Sequence, residues 1–531
     1  MFLSRARCLI ASLVALGALS LGMAQQDLVI ATGTDAVTLD VHAVTDTPTF
    51  NITGHIFETL FILTPEGNVV PHLATGYTIS EDGKTVSITL RDDVVFHDGT
   101  PFNADAVKAN IDRIKDPAQA NAFATLMGAV DGVTVTGEYS VDLNLSAPFA
   151  PLMPHLTHAS QAMMAPSSMG DEDVSQHPVG TGPFVLDEWV HGEFLRVVRN
   201  DNYWRAPATL DSVTFRPISE GGTRIALVQT GAAHVATNVP PQDVARIDAL
   251  DDVTVHKVDS MRTIYIFFNN YREPFTDVRV RQAINHAVDK EAIVEFVLGG
   301  AGRVSDAAIA PGVFGYTPIG VYEYNPEKAR ELLAEAGFPD GLELTLHSPT
   351  GRYMQDIQVA EAVQSQLAEV GITATIVTRE WAAYLADIGR PAEESISQLG
   401  LMGWGVSTGD ADQGLFNVLH GSQVVPFGSN RSLWDYEPFN DLLDRGRIET
   451  NEDARRALYA EALQVAFDQA PWLFLHTERQ LVAIRDNDTP GVQVTEVKPG
   501  TDVEDGRSVV VEGSAGTRLD DELLVRLAMD P

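Results

Sequence analysis

Cysteine is all but absent: the 531 residues contain one, Cys8. A single thiol cannot form an intrachain disulfide, and it cannot supply a Cys-rich metal centre. Lysine is nearly as scarce, with seven residues against twenty-nine arginines. The deficit extends to positive charge as a whole, since 36 basic and 73 acidic side chains give a formal net charge of −37. Such a balance repels phosphates, and no local basic patch interrupts it, so nucleic acid is excluded as a partner. The Arg-over-Lys bias fits either a GC-rich genome or adaptation to salt. Long apolar runs are also missing: after Leu21 no stretch approaches the roughly 18 residues that a membrane-spanning helix needs. The 14 histidines are scattered. Their closest pair, His155-x-x-His158, has no acidic residue at ligand spacing, whereas metal sites converge three or four ligands. The pair reads as solvent-facing or structural, and neither metal nor cofactor is expected.

What is present is ordinary for a folded chain. Hydrophobic residues make up 44 % and aromatics 8 %, enough for a large core without staples. At roughly 100–200 residues per domain, the length implies two to four domains. Arg5 and Arg7 precede an apolar run, Leu9–Leu21, and then Gly22-Met23-Ala24 stands before Gln25. Residues 1–24 therefore read as a cleavable secretory signal, with a buried N-terminal helix as the other reading. Cys8 lies ahead of the apolar run, not after it, which argues against a lipid-anchored protein. The mature chain is expected to be exported, soluble and free of cysteine.

Along the mature chain, strand-like and helix-like segments alternate without a fixed repeat, which implies α/β lobes. LVIAT (28–32) reads as a buried strand, and helical spacing follows at His55–Leu60. Tyr77–Ile79, Thr85–Leu90 and Val94–Phe96 read as strands separated by Glu81-Asp82-Gly83 and Asp98-Gly99 turns. Asn103 is a candidate cap for a helix over 104–114. Val280, Ile284, Ala287 and Val288 share one helical face. The next helix is punctuated by Asn325 as N-cap, Pro326 at its first position, Gly337 at its end and Pro339 beyond. Leu342–His347 reads as a strand, Val359, Val363, Leu367 and Val370 mark a helix, and ITATIVT is the following strand.

Several stretches, taken in order, resemble one family. They are TLDVHAVTDTPTFNITGHIFETLF (38–61), TVSITLRDDVVFHDGTPFNADAVKAN (85–110), VGTGPFVLDEW (179–189), FNNYREPFTDVRVRQAINHAVDKEAIV (268–294), NPEKARELLAEAGFPDG (325–341) and AEAVQSQLAEVGI (360–372). Together they resemble the extracellular solute-binding proteins of the peptide/nickel ABC-import family, family 5, over nearly the whole mature length. The resemblance implies an α/β, two-lobed periplasmic-binding-protein fold of type II with an extra β-rich subdomain and a hinge of two chain crossings. It places lobe I over residues 25–265, with the subdomain at about 64–180, and lobe II over 266–478. Residues 479–531 would return to lobe I and end in a tail. The crossings are expected near Ile264–Asn270 and Leu473–Gln480. Members close around a solute and deliver it to the permease of an ABC importer. A monomer is expected.

The resemblance also implies contacts in three clusters. In LMGWGVSTGDADQGL (401–415), dipeptide-binding relatives carry, three residues after the Trp, an Asp that holds a peptide ammonium. Here Ser407 stands there, and the segment is closer to the glutathione-binding branch. Trp404, Ser407, Thr408, Gly409, Asp410 and Asp412 match that form. A hydroxyl can donate to a carboxylate or amide, and either Asp could hold an ammonium. The alternatives are that Asp410 caps the next helix and Trp404 is core. Arg352 and Tyr353 follow Gly351 in a loop where relatives pair an Arg with the ligand carboxylate, a role its planar fork suits. The alternative is a surface Arg on a mobile loop. Thr45 and Asp46 correspond to a cleft-lining segment, with a helix N-cap as the other reading. Gly180–Phe184 is a structural turn.

The expected ligand is a peptide-like solute, glutathione or a short peptide, with nickel or a metallophore, haem or an opine-like solute as alternatives. A remote alternative is a serine hydrolase: Gly405-x-Ser407-x-Gly409 matches a nucleophile elbow, with Asp468 and His476 following in hydrolase order. A pattern of two glycines and a serine recurs readily in a chain with 42 glycines, so no enzyme activity is expected. A sensing role, in which the closed form docks a receptor, also stands. Beyond about Asp486 the polar, Gly- and acid-rich sequence reads as a loosely docked tail.

Overall fold

The computed structural model describes residues 26–485, except 65–66, 120, 122 and 171–173, together with the strands 492–497 and 508–513. The signal-like segment 1–24 and most of the expected tail lie outside the described residues.

An 11-stranded mixed sheet organises the chain. Its order is Ile372–Arg379, Leu342–Pro349, Leu399–Gly405, Val253–Phe268, Trp472–Arg485, Val235–Ala236, Asp27–Thr32, Ser212–Pro217, Phe194–Arg199 and Phe184–Val190, with Gly302–Val304 added beside Trp472–Arg485. Leu342–Pro349 and Ile372–Arg379 form a parallel pair at one end of the sheet, and Asp27–Thr32 runs parallel to Ser212–Pro217, beyond which Phe194–Arg199 and Phe184–Val190 close the other end antiparallel. The middle is an antiparallel pair of unusual length, 16 and 14 residues. Val253–Asp259 pair with Arg485–Arg479 on one side of a register break, and Thr263–Phe267 pair with Thr477–Trp472 on the other. These two strands carry the chain between the halves of the molecule, and residues 260–262, at the break, have no partner on Trp472–Arg485, Arg262 pairing instead with Gly405.

A separate four-stranded antiparallel sheet, in the order Ala74–Ile79, Thr85–Leu90, Ser140–Leu145, Val130–Gly137, forms the β-rich unit. Period-2 alternation in TVSITL and SVDLNL buries Val86, Ile88, Leu90, Val141, Leu143 and Leu145 against Val107, Ile111 and Ile114 of the helix Ala104–Lys115. Asn103 caps that helix, accepting from Ala106 N at 3.0 Å. Asn325 does the same for Pro326–Glu335 through Lys328 N at 2.9 Å, and Gly337 follows with φ of 95°.

Three local expectations shift. The helix expected at His55–Leu60 lies earlier, at Thr47–Thr53, because Asp46 caps it and Pro48 fits its first turn. Val94–Phe96 makes only an isolated bridge, Val95 with Pro101, since the Asp98-Gly99 turn folds the segment back on itself. The helix beginning at Val278 stops at Ala287, because Val288 turns extended ahead of Asp289, which caps the next short helix.

Candidate functional site

Between the two halves lies a cavity of about 1620 Å³ of empty space, counting solvent at its mouth. Thr45, Asp46, Thr47, Phe50, Glu58, Phe123 and His158 line it from before the crossing, and Arg352, Tyr353, Trp381, Trp404, Ser407, Gln413 and Arg431 from after it. Arg262, at the register break itself, completes the wall.

The cationic side is built on Tyr353. The Arg352 guanidinium carbon stands 4.6 Å from the Tyr353 ring and 5.2 Å from the Trp381 ring. Asp356 holds the turn that presents it, accepting from Arg352 N at 2.9 Å and Tyr353 N at 3.3 Å. Burial raises Asp356 to about 6 against the pull of those amides. Arg262 donates to Thr47 Oγ1 at 2.9 Å and pairs with Glu478 at 3.3 Å. Burial first, and then the like charge of Arg352, push Arg262 down to about 10. The two guanidiniums repel each other, and an anion set between them would be stabilised.

Asp46 supplies the opposite charge. Its Oδ1 caps the helix Thr47–Thr53 through Thr49 N and Oγ1, each at 3.1 Å. Its Oδ2 is buried without a hydrogen-bonding partner in the protein. Burial raises the Asp46 pKa, with Arg352 opposing; the Trp381 indole is near enough to favour the charge but makes no bond of normal geometry. The unsatisfied oxygen suits an ammonium.

An aromatic wall faces these charges. Trp404 donates its indole N–H to Gln413 O at 3.2 Å and stacks on Phe123 at 6.1 Å. Phe123 packs on His158 at 4.5 Å, and burial, helped by His155, lowers His158 to about 3, so its ring is neutral.

At another edge Glu58 accepts from Thr181 (2.6 Å), Tyr203 (2.7 Å) and Trp204 (2.9 Å), and meets His72 at 3.2 Å. Burial alone would raise its pKa, but these donors hold it below the ordinary 4.5. A carboxyl depressed on folding contributes stability that is complete above its unfolded pKa and is lost as pH falls through the lower folded value. Urea midpoints should therefore fall as the pH is taken down through the ordinary carboxyl value of 4.5 and below it, and the drop should shrink in Glu58→Gln; an equal drop in both would remove Glu58 from the acid response.

Of the ten candidates from sequence, the structure brings Thr45, Asp46, Arg352, Tyr353, Trp404 and Ser407 to the cavity. Thr408, Gly409, Asp410 and Asp412 are not among its lining residues. Thr408 is buried, and its N–H and hydroxyl both donate to Gln413 Oε1. Gly409 adopts φ of 66° in the turn, which a side chain would strain. Asp410 is gripped by Arg455 through two 2.7 Å bonds, and its Oδ1 also accepts from Asp412 N. Asp412 is enclosed between Arg447 at 3.1 Å and His155 at 3.2 Å, and although burial opposes it, the Arg447 charge and then the His155 contact lower its pKa. Both carboxylates are used inside the protein because Arg447 and Arg455 reach them from the helices Glu437–Ile448 and Glu452–Gln469, a pairing no local spacing announces.

The His155/His158 pair is buried rather than solvent-facing, with His155 Nδ1 donating to Leu126 O at 2.9 Å. Among the described residues no group of three or more His, Cys, Asp or Glu comes together to hold a metal. For the hydrolase reading, Ser407 bonds Gln413, while Asp468 and His476 are not among the cavity's lining residues. His476 is fully enclosed, and burial lowers it to about 3. A nucleophile needs its base within hydrogen-bond reach.

Sequence reasoning passed over Phe50, Glu58, Arg262, Trp381, Gln413 and Arg431. Arg262 carried a signal, as a lone charge opening the apolar strand segment TIYIFF; the others had none.

A charged cavity between two α/β halves joined by two long strands defines a type II periplasmic binding protein. The peptide-bound structure of DppA, an ABC transporter-associated periplasmic binding protein from Helicobacter pylori, superposes with a TM-score of 0.82 at 26 % identity, covering 88 % of this chain and 94 % of that one. AgaA from A. tumefacien R10, solved with agropinic acid, gives 0.79 at 28 % identity over 88 % and 94 %. Residues 68–425 match the model of the bacterial extracellular solute-binding proteins, family 5 (middle). The glutathione-binding protein GsiB of Shigella dysenteriae serotype 1 (strain Sd197) is 32 % identical over 481 residues, 89 % of this chain and 94 % of the relative. The chain belongs to family 5 of the bacterial extracellular solute-binding proteins, and its relatives are binding proteins of ABC importers. No helix among the described residues is long and apolar enough to cross a membrane.

Proposed function

We propose that this protein captures a peptide-like solute, glutathione or a short peptide, in the cavity and delivers it to the permease of an ABC importer. The observation that carries the reading is a cavity offering paired guanidiniums, Arg262 and Arg352, together with a buried carboxylate oxygen of Asp46 that no protein group satisfies. A zwitterionic solute with an acid and an ammonium answers both. Closure requires that the solute touch both halves more fully in the closed form than in the open one. The hinge would lie at residues 260–262 and Glu478, between lobes over 25–265 and 266–478, with 479–531 returning to the first lobe. The protein would act as a monomer without catalysis or nucleic-acid binding, exported by residues 1–24 and without a lipid anchor.

The test is a thermal-shift screen of the mature protein without chelator, against glutathione, di- to pentapeptides, opines, nickel and haem. Binding to the folded form alone raises the melting temperature. Glutathione or peptides should shift it, and Arg352→Ala should weaken that binding by about 1.5–3 kcal/mol as a charge-assisted bond is lost. A shift with opines alone would favour the second reading, which the likeness to AgaA and the number of cavity arginines support. A metal or haem shift with silent peptides would overturn the proposal.

A further inference from the structure

We infer that Gln413 sets the polarity of the Ser407 hydroxyl, so that the Trp404–Ser407 wall reads a hydrogen-bond acceptor of the solute, a carboxylate or amide carbonyl, and not its ammonium. The inference rests on the cavity being the solute site. Gln413 is 1 % exposed and lines the cavity. The orientation of its amide is fixed by chemistry: Thr408 N–H can only donate, so the atom 3.1 Å from it is Oε1. The Thr408 hydroxyl donates to the same oxygen at 3.3 Å. Nε2 is thereby turned to Ser407 Oγ at 3.1 Å, and an amide N–H also only donates. Ser407 must accept, which leaves its own O–H as the unused function of a residue on the cavity wall. An ammonium arriving there would share one small oxygen with Nε2, whereas an acceptor would meet a hydrogen already aimed by a fixed network. The ammonium has its place at Asp46 Oδ2. Gln413 also fixes the neighbouring ring, since its backbone oxygen takes the Trp404 indole N–H. Gln413 is thus a positioning residue acting through Ser407.

The experiment is a double-mutant cycle read by calorimetry with glutathione. In Gln413→Glu the carboxylate still accepts from Thr408 but can only accept from Ser407, so it draws the hydroxyl proton out of the cavity. Gln413→Glu and Ser407→Ala should each weaken binding about tenfold or more, and Ser407→Thr, which keeps the hydroxyl, should bind nearly as the parent does. The double variant should lose no more than Ser407→Ala, because Gln413 acts through a hydroxyl already removed. Losses that multiply would mean that the new charge simply repels the solute, and would overturn the inference. If glutathione gives no heat with the parent protein, the ligand proposed above fails, and the inference is then read without ligand. Gln413 side-chain amide protons should exchange slowly with solvent in the parent and faster in Ser407→Ala; equal rates would overturn it.

Discussion

Gly33→Ala should weaken solute binding about 100-fold, roughly 2.7 kcal/mol, while leaving the melting temperature of the ligand-free protein within a few degrees. Gly33 follows the strand Asp27–Thr32, and a Cβ there would stand 1.9 Å from the backbone oxygen of Gly351, in the turn that presents Arg352. Gly351 is also tight on its other side, where a Cβ would meet Ser219 O at 2.7 Å, and its φ of 76° adds strain to any replacement. Asn238 Nδ2 donates to Arg352 O at 3.2 Å across the same seam, and Gln355 Nε2 to Gln242 Oε1 at 2.7 Å. The Arg352 turn therefore docks backbone to backbone on the opposite half. Backbone atoms cannot swing aside as a side chain can, so the methyl should be accommodated by the halves standing apart. The penalty then falls on the arrangement in which the halves meet at this seam, and a solute that needs that arrangement loses affinity by the same factor. Calorimetric titration and differential scanning separate the two effects. An unchanged affinity would show that binding does not need this seam, and a collapsed melting temperature would show that the contact belongs to the fold itself.

Asp410→Ala should act in the opposite way, on stability before binding, and should cost about 3–5 kcal/mol in a urea titration. The Asp410 carboxylate takes both terminal nitrogens of Arg455 at 2.7 Å, with side-chain exposures of only 4 % and 6 %. Arg455 also donates to Gly446 O at 3.0 Å and Tyr459 Oη at 2.9 Å. Burial alone would lower the pKa of this guanidinium, but Asp410 more than reverses that, and removing the acid leaves an uncompensated charge in the core. Asp410→Asn should cost less, since an acceptor remains. A variant of normal stability that had lost affinity would return Asp410 to the ligand site.

These two expectations mark how far local pattern reaches. Alternation in TVSITL, the Asn103 and Asn325 caps and the Gly337 terminator were legible because each is decided within a few residues: which face is apolar, and which side chain can reach an orphan N–H. Trp404, Ser407 and Arg352 could be picked out only through the family resemblance, and the structure does bring them to one cavity. The run STGDADQ was misleading for a physical reason. Its acids look free in sequence, yet Arg447 and Arg455 close on them from helices well down the chain. Gln413 carries no local signal at the end of that run, and only the folded turn shows it bonded to Ser407, Thr408 and Trp404 together.

By itself, the sequence determined the α/β class, the β-rich unit, the absence of disulfides and the family, because composition, periodicity and ordered motifs are properties of the chain. The tertiary structure decided which charges are spent and which remain for a solute. A buried charge is stabilised by a partner, and pairs such as Asp410 with Arg455 or Asp412 with Arg447 are chosen by which elements the fold sets side by side. What is left unpaired after that choice, Asp46 Oδ2 in the cavity wall, is a remainder that no reading of spacing along the chain can compute.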